Sequence, residues 1–103
     1  MRTVLSNDEF FELEEIYKAF GSIPRLKILM HLRDGESIAS ELSKVSGLSQ
    51  SATSHQLKDL KMKKIIKSRK EGLNIYYSLQ DKHIFKIIEC AVEHIQEEHC
   101  SDE

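Results

Sequence analysis

The chain has 103 residues, 40% hydrophobic and 31% charged, with a formal net charge of −2. That length supports one domain, residues 1–103, with a modest core that gains from dimerisation. No run is apolar enough to span a bilayer or patterned as a secretory leader, so a cytoplasmic protein with no membrane partner is expected. Cys90 and Cys100 form neither a disulfide framework nor a CxxC knuckle, and read as reduced thiols.

Charge is unevenly spread. Residues 1–20 carry two basic and five acidic side chains, residues 21–48 four and three, residues 49–79 seven and two, and residues 80–103 two and seven. The overall acidity therefore hides a basic third block between acidic ends. A local basic patch, doubled in a dimer, is the electrostatic footprint that DNA binding requires.

Ser6-Asn-Asp-Glu9 has capping-box spacing, and Phe10, Leu13, Ile16, Tyr17 and Phe20 follow at helical period up to Gly21. Ser22 caps a second helix with Pro24 in its first turn; Leu26, Ile28, Leu29 and Leu32 supply core, and Asp34-Gly35 ends it. Residues 37–45 form a short helix with Ile38, Ala39, Leu42 and Val45 inward. Ser46-Gly47-Leu48 then turns into a helix capped by Ser49. Two short helices joined by a glycine turn make a helix-turn-helix, here about 37–62, whose second helix enters the DNA major groove. On that helix Ala52, Leu57 and Leu60 point inward. Gln50, Ser51, Thr53, Ser54 and His55, with Lys58 behind them, are the expected DNA contacts, because small polar groups at a recognition helix's N-terminal end reach base edges and phosphates.

The period then changes. Residues 65–70 and 74–79 are rich in β-branched and aromatic side chains and flank Glu71-Gly72-Leu73, a hairpin signature. A hairpin after a helix-turn-helix is a wing, about 65–79, with Lys67, Arg69 and Lys70 near its tip as phosphate contacts. The same charges would also suit an edge hairpin that keeps itself soluble.

The last element, about 81–98, is an amphipathic helix with Ile84, Ile88, Ala91 and Ile95 as an apolar stripe read as a dimer seam. His83 and His94 lie within about 20° of each other at about 100° per residue, and Glu97 shares their flank. Asp81 sits at the N-cap and can turn toward His83. Two imidazoles and two carboxylates suit tetrahedral zinc. Eleven helical residues separate the histidines by roughly 16 Å, far beyond what one metal can bridge. An antiparallel second copy brings residue 83 of one chain opposite residue 94 of the other, giving two symmetric inter-chain sites. Two exposed histidines on a charged flank remain the plainer account of the same residues.

Three stretches resemble the ArsR/SmtB family of bacterial metal-sensing repressors: Lys18-Ala-Phe-Gly-Ser-Ile-Pro-Arg-Leu-Lys-Ile-Leu29, Leu48-Ser-Gln-Ser-Ala-Thr-Ser-His-Gln-Leu-Lys-Asp-Leu60 and Glu71-Gly-Leu-Asn-Ile-Tyr-Tyr-Ser-Leu79. The resemblance covers most of residues 16–79. It implies a mainly α fold with a small β-hairpin, a winged helix-turn-helix that is homodimeric through its N- and C-terminal helices. Asp81, His83, His94 and Glu97 resemble, position by position, the site of the family's zinc-sensing subgroup. The family's arsenic and cadmium sensors instead carry cysteines where Ser37-Ile-Ala-Ser40-Glu-Leu stands here, so a thiolate site is not expected there. Ser22-Ile23, where the family often has an acidic residue, reads as loop variation.

The combined reading is a non-enzymatic repressor whose apo dimer binds an inverted-repeat operator in double-stranded DNA. Zn(II), or another divalent ion such as Co(II), releases it, with metal efflux or sequestration genes as the targets implied by the resemblance. The free ring nitrogen of His94 is expected to reach a carbonyl near the end of the recognition helix. Alternatives are a thiol or redox sensor using Cys90, an effector-independent DNA-binding dimer and a hydrolytic zinc site; His99 and Cys100 are read as accessory. No small-molecule substrate is expected.

Overall fold

The computed structural model describes residues 4–100, with side chains described for residues 4–97. Its elements are α1 (Asn7–Ala19), α2 (Ile23–Arg33), α3 (Ala39–Ser46), α4 (Gln50–Met62), β1 (Ile66–Glu71), β2 (Asn74–Leu79) and α5 (Lys82–Cys100). Serine and aspartate hydroxyl and carboxylate oxygens start four of the helices by accepting orphan first-turn N–H groups. Ser6 makes a full capping box with Glu9, Ser22 Oγ accepts from Arg25 N, Ser49 Oγ accepts from Ala52 N, and Asp81 Oδ1 accepts from Ile84 N. Ser22, the departure from the family's loop residue, is thus the cap of α2.

The α3–α4 turn is fixed by side chains as well as by Gly47, whose φ of 77° favours a residue without Cβ. Ser43 Oγ donates to Leu48 O at 2.7 Å, and Ser46 Oγ accepts from Leu48 N at 3.3 Å. At the far end of α4, Ile65 N donates to Leu60 O and Lys64 N to Lys61 O, both at 3.0 Å, with Lys64 at φ 60°. This is a Schellman ending in which lysine occupies the left-handed position, while Leu60 and Ile65 supply its hydrophobic contact. The wing that follows pairs Ile66 with Leu79 through to Glu71 with Asn74, leaving Gly72-Leu73 as a two-residue turn.

One core joins these elements: Ala19, Ile28, Leu29, Leu32, Leu42, Leu57, Leu60, Ile65, Ile66, Ile84 and Ile88. Four sequence expectations are corrected by it. The first is that the helix after α2 starts at Ala39 and not at residue 37. Ser37 instead exchanges backbone hydrogen bonds with Tyr77 at 3.0 and 2.8 Å, adding a third short rung to the wing. The second concerns Leu26, which is 38% exposed because it faces away from the core, toward Tyr17 and Ile87. Third, Thr53 and not Ala52 fills the inward position on α4, at 0% exposure.

Fourth, the apolar stripe of α5 is two stripes. Ile84 and Ile88 are buried within the chain, and Val92 is half-buried beside them. Ile87, Ala91 and Ile95 are exposed. At about 100° per residue the two stripes lie about 60° apart, so one helix closes its own chain with one side and leaves the next side uncovered. Only the second can be a seam with another copy. Alongside it, Tyr17, Phe20, Leu26, Met30 and the outer α5 residues line an apolar groove of ≈ 510 Å³.

Candidate nucleic-acid interface and metal centre

Helix α4 has three distinct faces. Thr53, Leu57 and Leu60 are buried, and their spacing of four and three makes them one inward stripe. Gln50, Ser51, Ser54, His55 and Lys58 are exposed, and helical geometry gathers them within about 140° of one another. Gln56 and Asp59 lie between. Arg25 of α2 donates through Nε to Gln56 Oε1 and pairs through Nη2 with Asp59 Oδ2 at 3.0 Å. Lys63 bridges the same Asp59 oxygen at 3.0 Å and Glu15 of α1 at 3.2 Å. Both anions raise the Lys63 pKa, the Asp59 hydrogen bond being the largest cause. The network ties α4 to α1 and α2, and sequence reading missed it because the bonds from Arg25 and to Glu15 span distant residues; only the bond between Lys63 and Asp59 is local, at i,i+4 spacing.

Five of the sequence-expected α4 contacts are therefore together on one exposed face. Thr53 is the exception: its hydroxyl is buried and without a hydrogen-bond partner among the described residues, so it cannot be a DNA contact in this fold. The 53/57/60 spacing carried that signal in the sequence. On the wing, Lys67, Arg69 and Lys70 are all exposed. Among the described residues, Lys58, Lys61, Lys64, Lys67 and Lys70 form no ion pair, which leaves a run of free cations from α4 into β1. Arg69 differs, since it is bound to Glu36 and Glu71 and lies 4.7 Å from the Tyr76 ring.

On α5, Asp81 Oδ1 accepts from His83 N at 3.0 Å and Ile84 N at 3.1 Å, and lies 3.7 Å from His83 Nδ1. The Ile84 N–H is the largest cause of an Asp81 pKa held below its ordinary value, with the His83 side chain and backbone adding to it. One carboxylate oxygen thus caps the helix, and Oδ2 has no hydrogen bond among the described residues. His83 has 89% of its side chain exposed, and His94 and Glu97 are exposed as well. Asp81 and His83 stand at the start of α5, with His94 and Glu97 three turns further on. No three His, Cys, Asp or Glu side chains converge within one chain among the described residues. Oxygen and imidazole donors suit zinc chemically, and the set is split into two pairs, one carboxylate and one imidazole at each end of α5.

His83, Cys90, His94 and Glu97 form a flank directly beside Ile87 and Ala91. Cys90 is a free, exposed thiol, where a core-side cysteine would be buried. The expected link from His94 to α4 is not made within the chain: no hydrogen bond joins them among the described residues. The side chains of His99 and Cys100 lie outside the described residues.

Residues 24–68, which run from α2 into the wing, match the family described as bacterial regulatory protein, arsR family. A transcriptional repressor SmtB homolog of Synechocystis sp. is 33% identical over 94 residues, spanning 91% of this chain and 71% of that protein. The chain belongs to the ArsR/SmtB family of transcriptional regulators. A second member, the cadmium resistance transcriptional regulatory protein CadC homolog of Staphylococcus aureus, is 33% identical over 94 residues, covering 90% of this chain and 78% of that one. The fold matches, with a TM-score of 0.79 at 21% identity, the homodimeric winged helix-turn-helix DNA-binding domain of a possible ArsR-family regulator from Mycobacterium bovis; the match covers 94% of this chain and 92% of that one. ArsR/SmtB members are transcriptional regulators and not enzymes, and the relatives of this chain include a transcriptional repressor and a cadmium resistance regulatory protein. No described helix of this member is long and apolar enough to cross a membrane.

Proposed function

We propose that this ArsR/SmtB protein is a metal-responsive repressor that binds an inverted-repeat operator as an apo homodimer and leaves it when zinc occupies two inter-subunit sites. Each site takes Asp81 and His83 from one chain and His94 and Glu97 from its partner. One observation carries the reading: the ligand flank of α5 borders the uncovered stripe Ile87, Ala91 and Ile95. A copy that covers the stripe in antiparallel sense necessarily meets the ligands. The free Asp81 Oδ2 and the unencumbered His94 ring leave donor atoms available without unfolding the cap. The CadC homolog's cadmium-resistance name supports a metal as the effector class, and promoters of metal efflux or sequestration genes are the targets.

Held by Asp81 and His83 of one chain and His94 and Glu97 of its partner, zinc would supply a cross-link between the two α5 helices. The Lys63 and Arg25 bonds join α4 to α1 and α2, so a change of angle at the seam moves the recognition helix with them. Coupling is reciprocal, and DNA must weaken zinc by the factor by which zinc weakens DNA. The test is fluorescence anisotropy on an inverted-repeat duplex enriched by the wild-type protein from a randomised pool, with and without zinc at fixed salt. Release at one zinc per chain, abolished by His94→Ala with apo binding retained, is the expected result. Tight zinc binding without release, or release that His94→Ala leaves intact, overturns it.

A second reading follows from the exposure of Cys90, which lies one turn before His94 on the same flank. As an accessible thiol it is available to oxidant or to a soft metal, and that sensor would release DNA on thiol oxidation. Alkylation of Cys90 that leaves zinc-dependent release intact dismisses it.

A further inference from the structure

By sequence position Arg69 belongs with Lys67 and Lys70 as a cation for DNA phosphates. Its surroundings are of another kind. Nε and Nη2 reach the two oxygens of Glu36 at 3.1 and 2.5 Å, a bidentate fork across the α2–α3 connection, and Nη1 reaches Glu71 Oε1 at 2.5 Å. Tyr76, its partner across the strands, holds the guanidinium at 4.7 Å from the ring centroid. All three nitrogens are engaged and one face of the plane is covered. The pairing holds the Glu36 carboxyl below its ordinary pKa, the Arg69 hydrogen bond being the largest cause, and pushes the Arg69 pKa up. A lysine could not reproduce this arrangement, because it lacks the planar fork.

The fork spans two parts of the chain. Glu36 immediately precedes Ser37, whose backbone pairs with Tyr77, so strand β2 is held to the α2–α3 connection by backbone and strand β1 by Arg69. No other cation of β1 makes such a link: Lys67 and Lys70 carry no ion pair among the described residues. We propose that Arg69 is a positioning residue that clamps the basic strand of the wing to the α2–α3 connection through Glu36, leaving the phosphate contacts of the wing to Lys67 and Lys70. The proposal rests on the DNA-binding part of the reading above and is independent of zinc.

A clamp and a phosphate contact predict opposite signs for one variant. Glu36→Gln removes the anion to which Arg69 is bound. If Arg69 were a phosphate contact, freeing it would strengthen binding and steepen the salt dependence by about 0.9 in log–log slope for each phosphate gained. As a clamp, Glu36→Gln lets the wing wander and weakens binding about three-fold at low salt, the size expected from an exposed bidentate pair, with the loss shrinking as salt screens that pair in the wild type. The slope then flattens by at most about 0.5 over a decade of salt and does not steepen, whereas Lys67→Ala flattens it by about 0.9 per lost contact. Arg69→Lys keeps the charge without the fork and should weaken binding as much as Arg69→Gln does. Affinity is read on the enriched duplex by anisotropy across a salt series. Amide hydrogen exchange of residues 67–71 is read on the free protein, where Glu36→Gln should speed exchange several-fold. Unchanged or tighter DNA binding by Glu36→Gln, full retention by Arg69→Lys, or unchanged wing exchange overturns the clamp. Failure of the wild type to enrich any duplex overturns the DNA reading instead, and the exchange measurement still decides the clamp.

Discussion

The two ends of the molecule are finished to different degrees. The half built from α3, α4 and the wing satisfies itself within one chain: Leu42, Leu57, Leu60, Ile65 and Ile66 are buried, and the turn is bonded by Ser43 and Ser46. What it leaves outside is mainly charge, in Lys58, Lys61, Lys64, Lys67 and Lys70, with Met62, Leu73 and Ile75 as exposed apolar side chains that do not join the α5 groove. The half built from α1 and α5 leaves outside apolar surface, in Phe10, Phe11, Tyr17, Ile87 and Ile95, and buries only Ala19 from α1. Exposed cations are at ease in water and await a polyanion, while a contiguous apolar face marks an interface. The contrast separates the surface proposed to read DNA from the surface on which assembly and sensing are proposed.

The largest test of the contrast sits on α5 itself. Ile87→Glu places a charge on the uncovered stripe and should yield a folded monomer that has lost at least about 100-fold in DNA affinity, since a buried unpaired charge costs several kcal/mol at an interface. Ile84→Ala, three residues away, should instead destabilise the chain by about 2–5 kcal/mol, because it opens a cavity in the core. Sedimentation and thermal unfolding read the pair. A dimeric Ile87→Glu protein would abolish the distinction between the two stripes.

Asp81 offers a finer division, because one oxygen caps α5 and the other is the proposed ligand. Asp81→Asn retains a good N-cap and should keep helix content while weakening zinc; Asp81→Ala should lose both, with a fall in Tm. The pH dependence follows from the sign of the shift. The Asp81 pKa is depressed in the folded chain, chiefly by the Ile84 N–H, so its contribution is fully present above the ordinary carboxylate value and is lost as pH falls through the lowered one. Acid unfolding of the metal-free protein should show that contribution in the wild type and not in Asp81→Asn.

The smallest effect should come from Thr53. Replacing its unpartnered hydroxyl with a methyl in Thr53→Val removes a desolvation cost and should stabilise the chain by about 1 kcal/mol, with DNA affinity unchanged. Weakened DNA binding in that variant would return Thr53 to the interface and blur the boundary between the faces of α4.

Local chemistry was legible in the sequence. Ser6, Ser22, Ser49 and Asp81 each cap a helix through residues within three positions, and Gly72 marks a turn within its own hairpin; such signals need no knowledge of the rest of the fold. The faces of α4 were legible in principle, since 53, 57 and 60 are spaced as one stripe, but Thr53 was taken for its hydroxyl and not for its position. Arg69 was taken for its charge, and Glu36, its partner, lies thirty-three residues away.

The sequence by itself determined the helix-turn-helix, the wing, the basic block and the family, because each rests on periodicity, capping and composition within a short span. Only the tertiary structure decided which cations are free and which are clamped, and that Ser37 belongs to the wing. It also decided which side of α5 belongs to its own core. A helical pattern gives the angles between side chains but not the direction of the neighbour, and only the packing of Ile84 and Ile88 into the common core, with α2 and β2 as the neighbours of α5, fixed that direction, leaving Ile87, Ala91 and Ile95 turned outward beside the two histidines.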